Sequence, residues 1–158
     1  MENKVTLREL TRTDLPALED VIRKTWNYDK FATAKTAKKL ARVYLATCLT
    51  NQTYTQVAEV NGVSVGLILG KNIEKHHCPI NYRLRQIFAL CRLLLSKGGR
   101  GILNFYKNID EIDNQLLKQS NKDYKGEIAL FALPPEYRGL GIGKMLFQCL
   151  LAYMKNER

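Results

Sequence analysis

The chain lacks the features that mark membrane and secreted proteins. Its most apolar stretch, Ile87 to Leu95, is interrupted by Arg92 and is far shorter than the roughly 20 apolar residues of a membrane helix. The first four residues lead into a strand-like alternation instead of an apolar leader, which predicts no secretory signal. The four cysteines form no Cys-x-x-Cys motif, which favours reduced, mostly buried thiols. We therefore expect a cytoplasmic protein without a membrane partner.

Metal-binding patterns are also missing. The chain has only two histidines, His76 and His77, which stand next to each other beside Cys78. Adjacent side chains do not easily converge on one ion, and no second pair of ligands follows at the spacing of a metal site. We interpret this segment as a solvated loop and expect no metal cofactor.

The balance of charge is strongly basic. The 158 residues include 25 Lys and Arg against 15 Asp and Glu, a net charge of +10 at pH 7. Nucleic-acid binding is one explanation, but the lysines are dispersed and no aromatic residues interleave with them as a base-stacking surface. A cleft for a strongly anionic cofactor is the other explanation.

Hydrophobic residues make up 46% of the chain and charged residues 25%. This composition is that of one ordinary globular domain, here residues 1–158.

Hydrophobic periodicity predicts a mixed order of strands and helices. Val5 to Leu10 alternates as a strand, and Thr13-Asp14-Leu15-Pro16 begins a helix. A second helix is predicted over about residues 35–48. Strands over 54–60 and 64–69 follow, joined by Asn61-Gly62, which is a strong hairpin signal. The loop between the two helices carries aromatic side chains, for which we expect core packing, with an acceptor pocket as the alternative: Trp26, Tyr28 and Phe31.

The segment 71–125 is predicted to be mainly helical. Over residues 82–96, apolar side chains recur at helical spacing and predict one apolar face: Leu84, Ile87, Phe88, Cys91, Leu94 and Leu95. Gly98 to Gly101 breaks the pattern, and a further helix is predicted over 109–119. We expect this segment to extend the core at the sheet edge. A lid or wall over an acceptor site and an oligomer contact are the alternatives.

The most informative segment is the run Arg138-Gly139-Leu140-Gly141-Ile142-Gly143-Lys144. It follows a strand-like run over 127–133 and a Pro134-Pro135 break, and it opens an amphipathic helix over 145–154. A glycine-rich turn between a strand and a helix leaves backbone N–H groups free, and the helix N-terminus adds about half a positive charge. Such a turn binds phosphate, and Arg138 and Lys144 place two cations beside it.

Two common phosphate-binding loops do not fit this run. A P-loop requires Gly-Lys-Ser/Thr, whereas Gly143-Lys144 is followed by Met145, and Arg138 occupies the position of the first glycine. A dinucleotide-binding fingerprint requires Gly-x-Gly-x-x-Gly and an acidic residue about 20 positions later. The spacing here is Gly-x-Gly-x-Gly, and only 15 residues follow Gly143.

Arg-x-x-Gly-x-Gly after a strand and a proline break resembles the acyl-CoA pyrophosphate loop of the GNAT acetyltransferase superfamily. The resemblance extends over 133–144, with Pro134 as a departure where the family often has Asp or His. The strand, two helices and hairpin of residues 5–69 resemble the first half of the same domain. The resemblance implies an α/β fold, with a mostly antiparallel central sheet flanked by helices. Because the family usually joins strands 3 and 4 by a short turn, residues 71–125 would be an insertion.

The resemblance also implies a cofactor and a reaction. Acetyl-CoA would be the co-substrate, and the acceptor would be an amine of a small molecule or peptide. The pantetheine arm would pair with the backbone of Phe131 and Leu133. Glu127, on the same strand, would act as the base through water; a solvent-facing or salt-bridged strand residue is the alternative. The residues that would hold the pyrophosphate are Arg138, Gly139, Gly141, Gly143 and Lys144.

In the family, the helix after this loop leads to a fifth strand and to a further helix, which commonly carries the tyrosine that protonates the thiolate. The chain stops at Arg158, so the C-terminal part of the domain is expected to be missing and strand 4 to be an exposed edge. The missing strand, which would form the other wall of the cofactor cleft, and the missing proton donor predict poor turnover. The exposed edge predicts self-association, including a homodimer. Tyr153 is predicted to be a packing residue. The alternative function is a truncated, non-catalytic CoA-binding or interaction module.

Overall fold

In the computed structural model, four strands form one sheet with helices on both faces; the structure describes residues 4–96, 115, 119 and 122–157. The strands lie in the order β1-β2-β3-β4, and each neighbouring pair is antiparallel. The predicted mixed α/β fold with an antiparallel sheet is therefore confirmed. The strands are β1 Val5–Arg8, β2 Tyr54–Val60, β3 Val63–Asn72 and β4 Gly126–Ala132, and the helices are α1 Leu15–Thr25, α2 Ala34–Thr50, α3 Ile80–Leu94 and α4 Ile142–Asn156.

Local sequence signals account for most of these boundaries. Pro16 lies in the first turn of α1, where its missing N–H has no helical partner to lose. The hydroxyl of Thr33 accepts a hydrogen bond from the Thr36 N–H at 3.4 Å and caps α2. Asn61 and Gly62 have φ angles of 51° and 83°, as a tight hairpin between twisted strands requires.

Two apolar layers hold the helices against the sheet. The layer that contains α1 and α2 packs on one face, against Leu67, Leu69 and Leu130 of the strands. On the other face, α4 packs Ile142, Leu146 and Leu150 against the side chains of β2 and β3. Alternation along the strands sends successive side chains to the two layers, so each face of the sheet is apolar.

A β-bulge interrupts that alternation in β4. Leu130 pairs with Leu69 and Ile128 pairs with Gly70, so that Ala129 has no partner across β3. Ala129 and Leu130 both pack in the α1–α2 layer. As a result, Glu127 hydrogen-bonds on the α2 side of the sheet, whereas the Phe131 ring lies beside Gly143 at the start of α4, 3.5 Å from where a Cβ would stand on that residue. Bulges of this kind commonly redirect a side chain beside a functional site.

A buried ion pair fixes the first turn of α1 to the sheet. The Asp14 carboxylate accepts hydrogen bonds from both terminal nitrogens of Arg8 at 2.7 Å, and from the Ser64 hydroxyl at 2.8 Å. The N–H and hydroxyl of Thr11 donate to it as well. The Arg8 guanidinium holds the pKa of Asp14 well below its usual range, although burial opposes this shift. This network therefore joins β1, α1 and β3.

The predicted helix is present as α3, but the expectation that its apolar stripe packs in the core is wrong. The helix packs on α2 through Ala89 and Leu93, whereas the side chains of the predicted face are exposed: Leu84, Ile87, Phe88, Cys91, Leu94 and Leu95. Polar contacts across the helices fix this rotation. Arg85 reaches Glu19 on α1, and the Gln86 amide donates to the Thr47 hydroxyl at 3.1 Å.

The expectation of mostly buried thiols is also wrong. All four cysteines are free, but only Cys48 is buried, in the α2 face that packs on the sheet. Cys91 is exposed because it lies on the outward face of α3, and Cys78 and Cys149 are partly exposed.

Two predictions for the segment after α3 lie outside the described residues: the break at Gly98 to Gly101, and the helix over 109–119 apart from Gln115 and Gln119. The predicted packing role of Tyr153 is confirmed. Its ring stacks on Tyr54 with the centroids 4.7 Å apart, beside the α4 layer. Among the described helices, none has the length and apolar content that a membrane crossing requires.

Candidate functional site

The glycine loop, residues 138–144, joins the end of β4 to the start of α4. A 3₁₀ turn over Pro135–Tyr137 reverses the chain, and Gly141 is the N-cap of α4. Gly139 and Gly141 have φ angles of 79° and 77°, and no atom lies within 4 Å of where a Cβ would stand on either residue. Both positions therefore favour glycine for its backbone conformation, and both leave the backbone open to a ligand.

The backbone of this loop offers unused donors. Among the hydrogen bonds between described residues, none comes from an N–H group of residues 139–144. At the N-terminus of α4, these donors add to the positive end of the helix dipole. Lys144 lies in the first turn of the helix and is exposed. Open backbone donors at a helix N-terminus, with a cation beside them, are the features of an anion site.

The other predicted cofactor residues lie beside the loop. The Arg138 Nε donates to the Leu133 carbonyl at 3.2 Å, which ties the cation to the end of β4. A Cβ at Gly143 would stand 3.5 Å from the Phe131 ring and 3.9 Å from the Leu133 side chain. The structure therefore brings Arg138, Leu133, Phe131 and Gly143 together. Leu133 itself lies one residue beyond the strand.

Glu127 lies at the other end of β4. Six residue steps separate it from Leu133, which is about 20 Å along a strand. Its carboxylate accepts a hydrogen bond from the Asn51 amide at 3.4 Å and lies 3.6 Å from the Lys71 ammonium. The side chain is 46% exposed, so water reaches it. The negative charge of Glu127 also adds to the effect of burial, which raises the pKa of the nearby Cys48 thiol to about 12.

A groove of about 730 Å³ runs between β4 and α4. Glu127 and Ile128 line it from the strand, and Phe147, Leu151 and Met154 line it from the helix. Phe147 lies one helical turn after Lys144, so the groove begins close to the glycine loop. No residue of the glycine loop lines the groove itself. The predicted base and the predicted phosphate site are thus at separate places along the same pair of elements.

The loop aromatics divide between core and surface. Tyr28 is buried, Trp26 packs on Tyr44 with ring centroids 5.2 Å apart, and Phe31 is largely exposed. Core packing is therefore confirmed for Tyr28. Phe31 contacts the Tyr28 ring edge-on but leaves most of its surface to solvent, so it is available to a ligand.

Sequence reasoning missed the groups that surround Glu127. Asn51 caps the end of α2 and Lys71 lies opposite Glu127 on β3. Both positions depend on the register of distant segments, and the sequence contains no local signal for them.

Within residues 4–96 and 122–157, no three His, Cys, Asp or Glu side chains converge as a metal site. His76 lies in the loop after β3 and its Nε2 is 2.9 Å from the Thr50 carbonyl.

Three solved structures share this fold along nearly the whole chain. PH1933 from Pyrococcus horikoshii OT3 is 16% identical with a TM-score of 0.60, covering 97% of this chain and 73% of its own. Arylalkylamine N-acetyltransferase 2 from Aedes aegypti is 17% identical with a TM-score of 0.56, covering 97% and 72%. PaiA N-acetyltransferase from Thermoplasma acidophilum, in complex with coenzyme A, is 16% identical with a TM-score of 0.50, covering 98% and 74%.

At these identities the structural similarity concerns the fold alone. The chain spans about three quarters of the length of these neighbours. No curated protein matches the chain. The sequence profile of the acetyltransferase (GNAT) family, in contrast, matches residues 15–158, which include α1, the sheet from β2 onward, the glycine loop and α4. The chain therefore belongs to the acetyltransferase (GNAT) family.

Proposed function

We propose that this protein binds acetyl-CoA with the pyrophosphate on the glycine loop and transfers the acetyl group to an amine of a small molecule or peptide. One observation carries the proposal: the N–H groups of residues 139–144 make no hydrogen bond to another described residue, and they stand at an open helix N-terminus. A pyrophosphate bound there would accept these hydrogen bonds, and Arg138 and Lys144 would add charge-assisted contacts. The family and the CoA complex of a structural neighbour support this assignment.

The dimensions of the site suit a long cofactor. The glycine loop and Glu127 are separated by the length of β4, about 20 Å, so a ligand that reaches both must be extended. The pantetheine arm would run along β4 past Phe131 and deliver the thioester into the groove between β4 and α4, which Glu127 lines. The Leu133 carbonyl is already an acceptor for Arg138, so this carbonyl would help to position Arg138 beside the pyrophosphate.

Glu127 is the proposed base. In the reaction, the amine nitrogen forms a bond to the thioester carbonyl carbon as the C–S bond breaks. The proton lost by the amine passes through a water molecule to the Glu127 carboxylate, and the departing thiolate takes a proton from solvent. Asn51 and Lys71 orient the carboxylate without burying it, so a bridging water has access.

Calorimetry with CoA tests the cofactor site. We expect Arg138→Ala to weaken binding by about 1.5–3 kcal/mol, the value of a charge-assisted contact. Gly141→Val should weaken it further, because the side chain obstructs the open backbone. Gly62→Val is the matched control, since Gly62 has the same left-handed backbone with no neighbour within 4 Å. Equal CoA affinity in the wild type and in both loop variants would refute the assignment.

Kinetics test the base. Glu127→Gln should lower kcat/KM by at least about 10²-fold and remove the ionisation of the base from the pH profile. Lys71→Gln is the control, because it removes the ion pair of Glu127 but leaves the carboxylate in place. If Glu127→Gln retains the wild-type rate and pH profile, the base is another group.

A non-catalytic CoA-binding module is the second candidate function. It is favoured by the surroundings of Glu127, which has the exposure and the loose contacts of an ordinary salt-bridged strand residue. Release of free thiol from acetyl-CoA over a panel of amines separates the two candidates. Saturable CoA binding without thiol release by the wild type, for every amine in the panel, would favour the binding module.

A further inference from the structure

A second cavity, of about 460 Å³, lies between the helices on the α1–α2 side of the sheet. We call it the arginine pocket. Four guanidinium groups line it, and Leu84 and Phe88 of α3 form its apolar wall. The guanidinium groups come from the turn before α1, from α2 and from α3: Arg12, Arg42, Arg85 and Arg92. None of the glycine-loop residues and none of the residues around Glu127 contribute to it.

The charge in this pocket is only partly neutralised. Glu19 is buried, and it accepts two hydrogen bonds of 2.9 Å from Arg42 and a longer one of 3.5 Å from Arg85. Arg12 and Arg92 form no ion pair with any described residue. Among the described residues, four guanidinium groups against one carboxylate leave a net charge of +3. A concave surface with this excess attracts anions, because the low-dielectric walls concentrate the field.

The pocket is also apolar on one side. Leu84 is 52% exposed and Phe88 is 68% exposed, although both lie on a helix with a well-packed opposite face. Exposed large side chains that cluster beside a cavity are a typical sign of a ligand-binding surface. Phe88 stands one helical turn before Arg92 and one turn after Leu84, so apolar and cationic groups share one stripe of α3.

We propose that the arginine pocket binds a small phosphate monoester that carries an aryl or alkyl group, at a site separate from the glycine loop. The volume lies within the range of small-molecule pockets, about 300–1,000 Å³, and is too small for a folded partner. Arg12 and Arg92 receive the phosphate, since the planar guanidinium group pairs bidentately with phosphate oxygens. The net charge of +3 favours a dianion over a monoanion such as a carboxylate. Phe88 and Leu84 cover the apolar group.

Titration with phenyl phosphate tests the site. We expect saturable binding with a Kd of about 0.1–1 mM, weaker binding of inorganic phosphate and benzoate, and no binding of phenol. The double variant Arg12→Ala/Arg92→Ala should lose about tenfold or more in affinity for phenyl phosphate. Both residues are exposed and free of ion pairs with described residues, so this variant should fold normally, which circular dichroism would verify.

Three further variants complete the test. Lys122→Ala/Lys155→Ala removes the same charge from exposed positions elsewhere and should retain wild-type affinity. Phe88→Ala should reduce the affinity for phenyl phosphate to that for inorganic phosphate. Arg138→Ala should leave it unchanged, because the glycine loop is another site.

The proposal is overturned if no saturation occurs up to about 10 mM phenyl phosphate. It is also overturned if Arg12→Ala/Arg92→Ala binds like the wild type, if the lysine variant loses as much, or if Arg138→Ala alone abolishes binding. An unchanged affinity of Phe88→Ala for phenyl phosphate would overturn the proposal that Phe88 covers the apolar group of the ligand. None of these results depends on acetyl transfer.

Discussion

Asp14→Asn should destabilise the fold strongly for a substitution of one atom. The Asp14 carboxylate is almost fully buried and receives both terminal nitrogens of Arg8 at 2.7 Å. The amide would present a donor to one of these nitrogens, so at least one charge-assisted hydrogen bond is lost. Each such bond contributes about 1.5–3 kcal/mol. Because Arg8 is partly exposed and also pairs with Glu59, we expect a loss of about 2–3 kcal/mol in urea unfolding.

The pH dependence of stability provides a second readout of the same group. The pKa of Asp14 is lowered in the folded state, chiefly by Arg8. The contribution of the ionised Asp14 to the free energy of unfolding is therefore complete above the unfolded pKa of about 4, and it is lost as the pH falls below that value. The wild type should lose stability more steeply than Asp14→Asn between about pH 5 and pH 2.

Asp29→Asn is the control for this argument. Asp29 accepts two hydrogen bonds from Arg23, at 2.8 and 3.0 Å, but the pair lies at the surface. Exposed pairs contribute about 0–1 kcal/mol, so the control should unfold close to the wild type. If Asp14→Asn lost no more stability than Asp29→Asn, or kept the wild-type slope with pH, the buried ion pair would not be holding α1 to the sheet.

Three other predictions concern local features. At about pH 8, an aromatic disulfide reagent should modify Cys91 well before Cys48, which is buried and has its pKa raised to about 12; peptide mass spectrometry would show equal modification if this is wrong. Ile128→Lys should reduce any concentration-dependent self-association in sedimentation experiments, because β4 has a free edge among the described strands. Gly66→Ala should cost about 1–3 kcal/mol in urea unfolding, since the added Cβ would stand 2.7 Å from a Leu133 methyl carbon and 3.1 Å from the Ala132 carbonyl; wild-type stability would show that Leu133 moves aside.

Local sequence patterns were enough to predict most of the elements. Asn61-Gly62 indicated the hairpin because few other pairs adopt two left-handed conformations. The glycine loop was predicted from the order of a strand, a proline break, a glycine run and a helix, and the structure has glycine at both left-handed positions of this loop, 139 and 141. In each case the signal depends on residues that are neighbours in the chain.

Features set by distant contacts were not predictable in the same way. The apolar stripe of α3 suggested that this stripe would be buried, but Glu19 and Thr47 hold the helix with that stripe outward. The surroundings of Glu127 depend on Asn51, which lies 76 residues away in sequence. No local pattern encodes such pairings, because they arise only once α2, β3 and β4 have assembled.

The bulge in β4 changes which face of the sheet the side chains of this strand point to. With strict alternation, two residues of β4 that are four positions apart, such as Glu127 and Phe131, would face the same layer. The extra residue Ala129 shifts this phase, so that Glu127 faces α2 while Phe131, four positions later, faces α4. The carboxylate that we propose as the base and the ring that we propose to lie beside the cofactor therefore project from different faces of β4, although Glu127 also reaches the groove between β4 and α4. Substitutions around Glu127 on the α2 side are therefore expected to leave the contacts of the glycine loop with β4 unchanged.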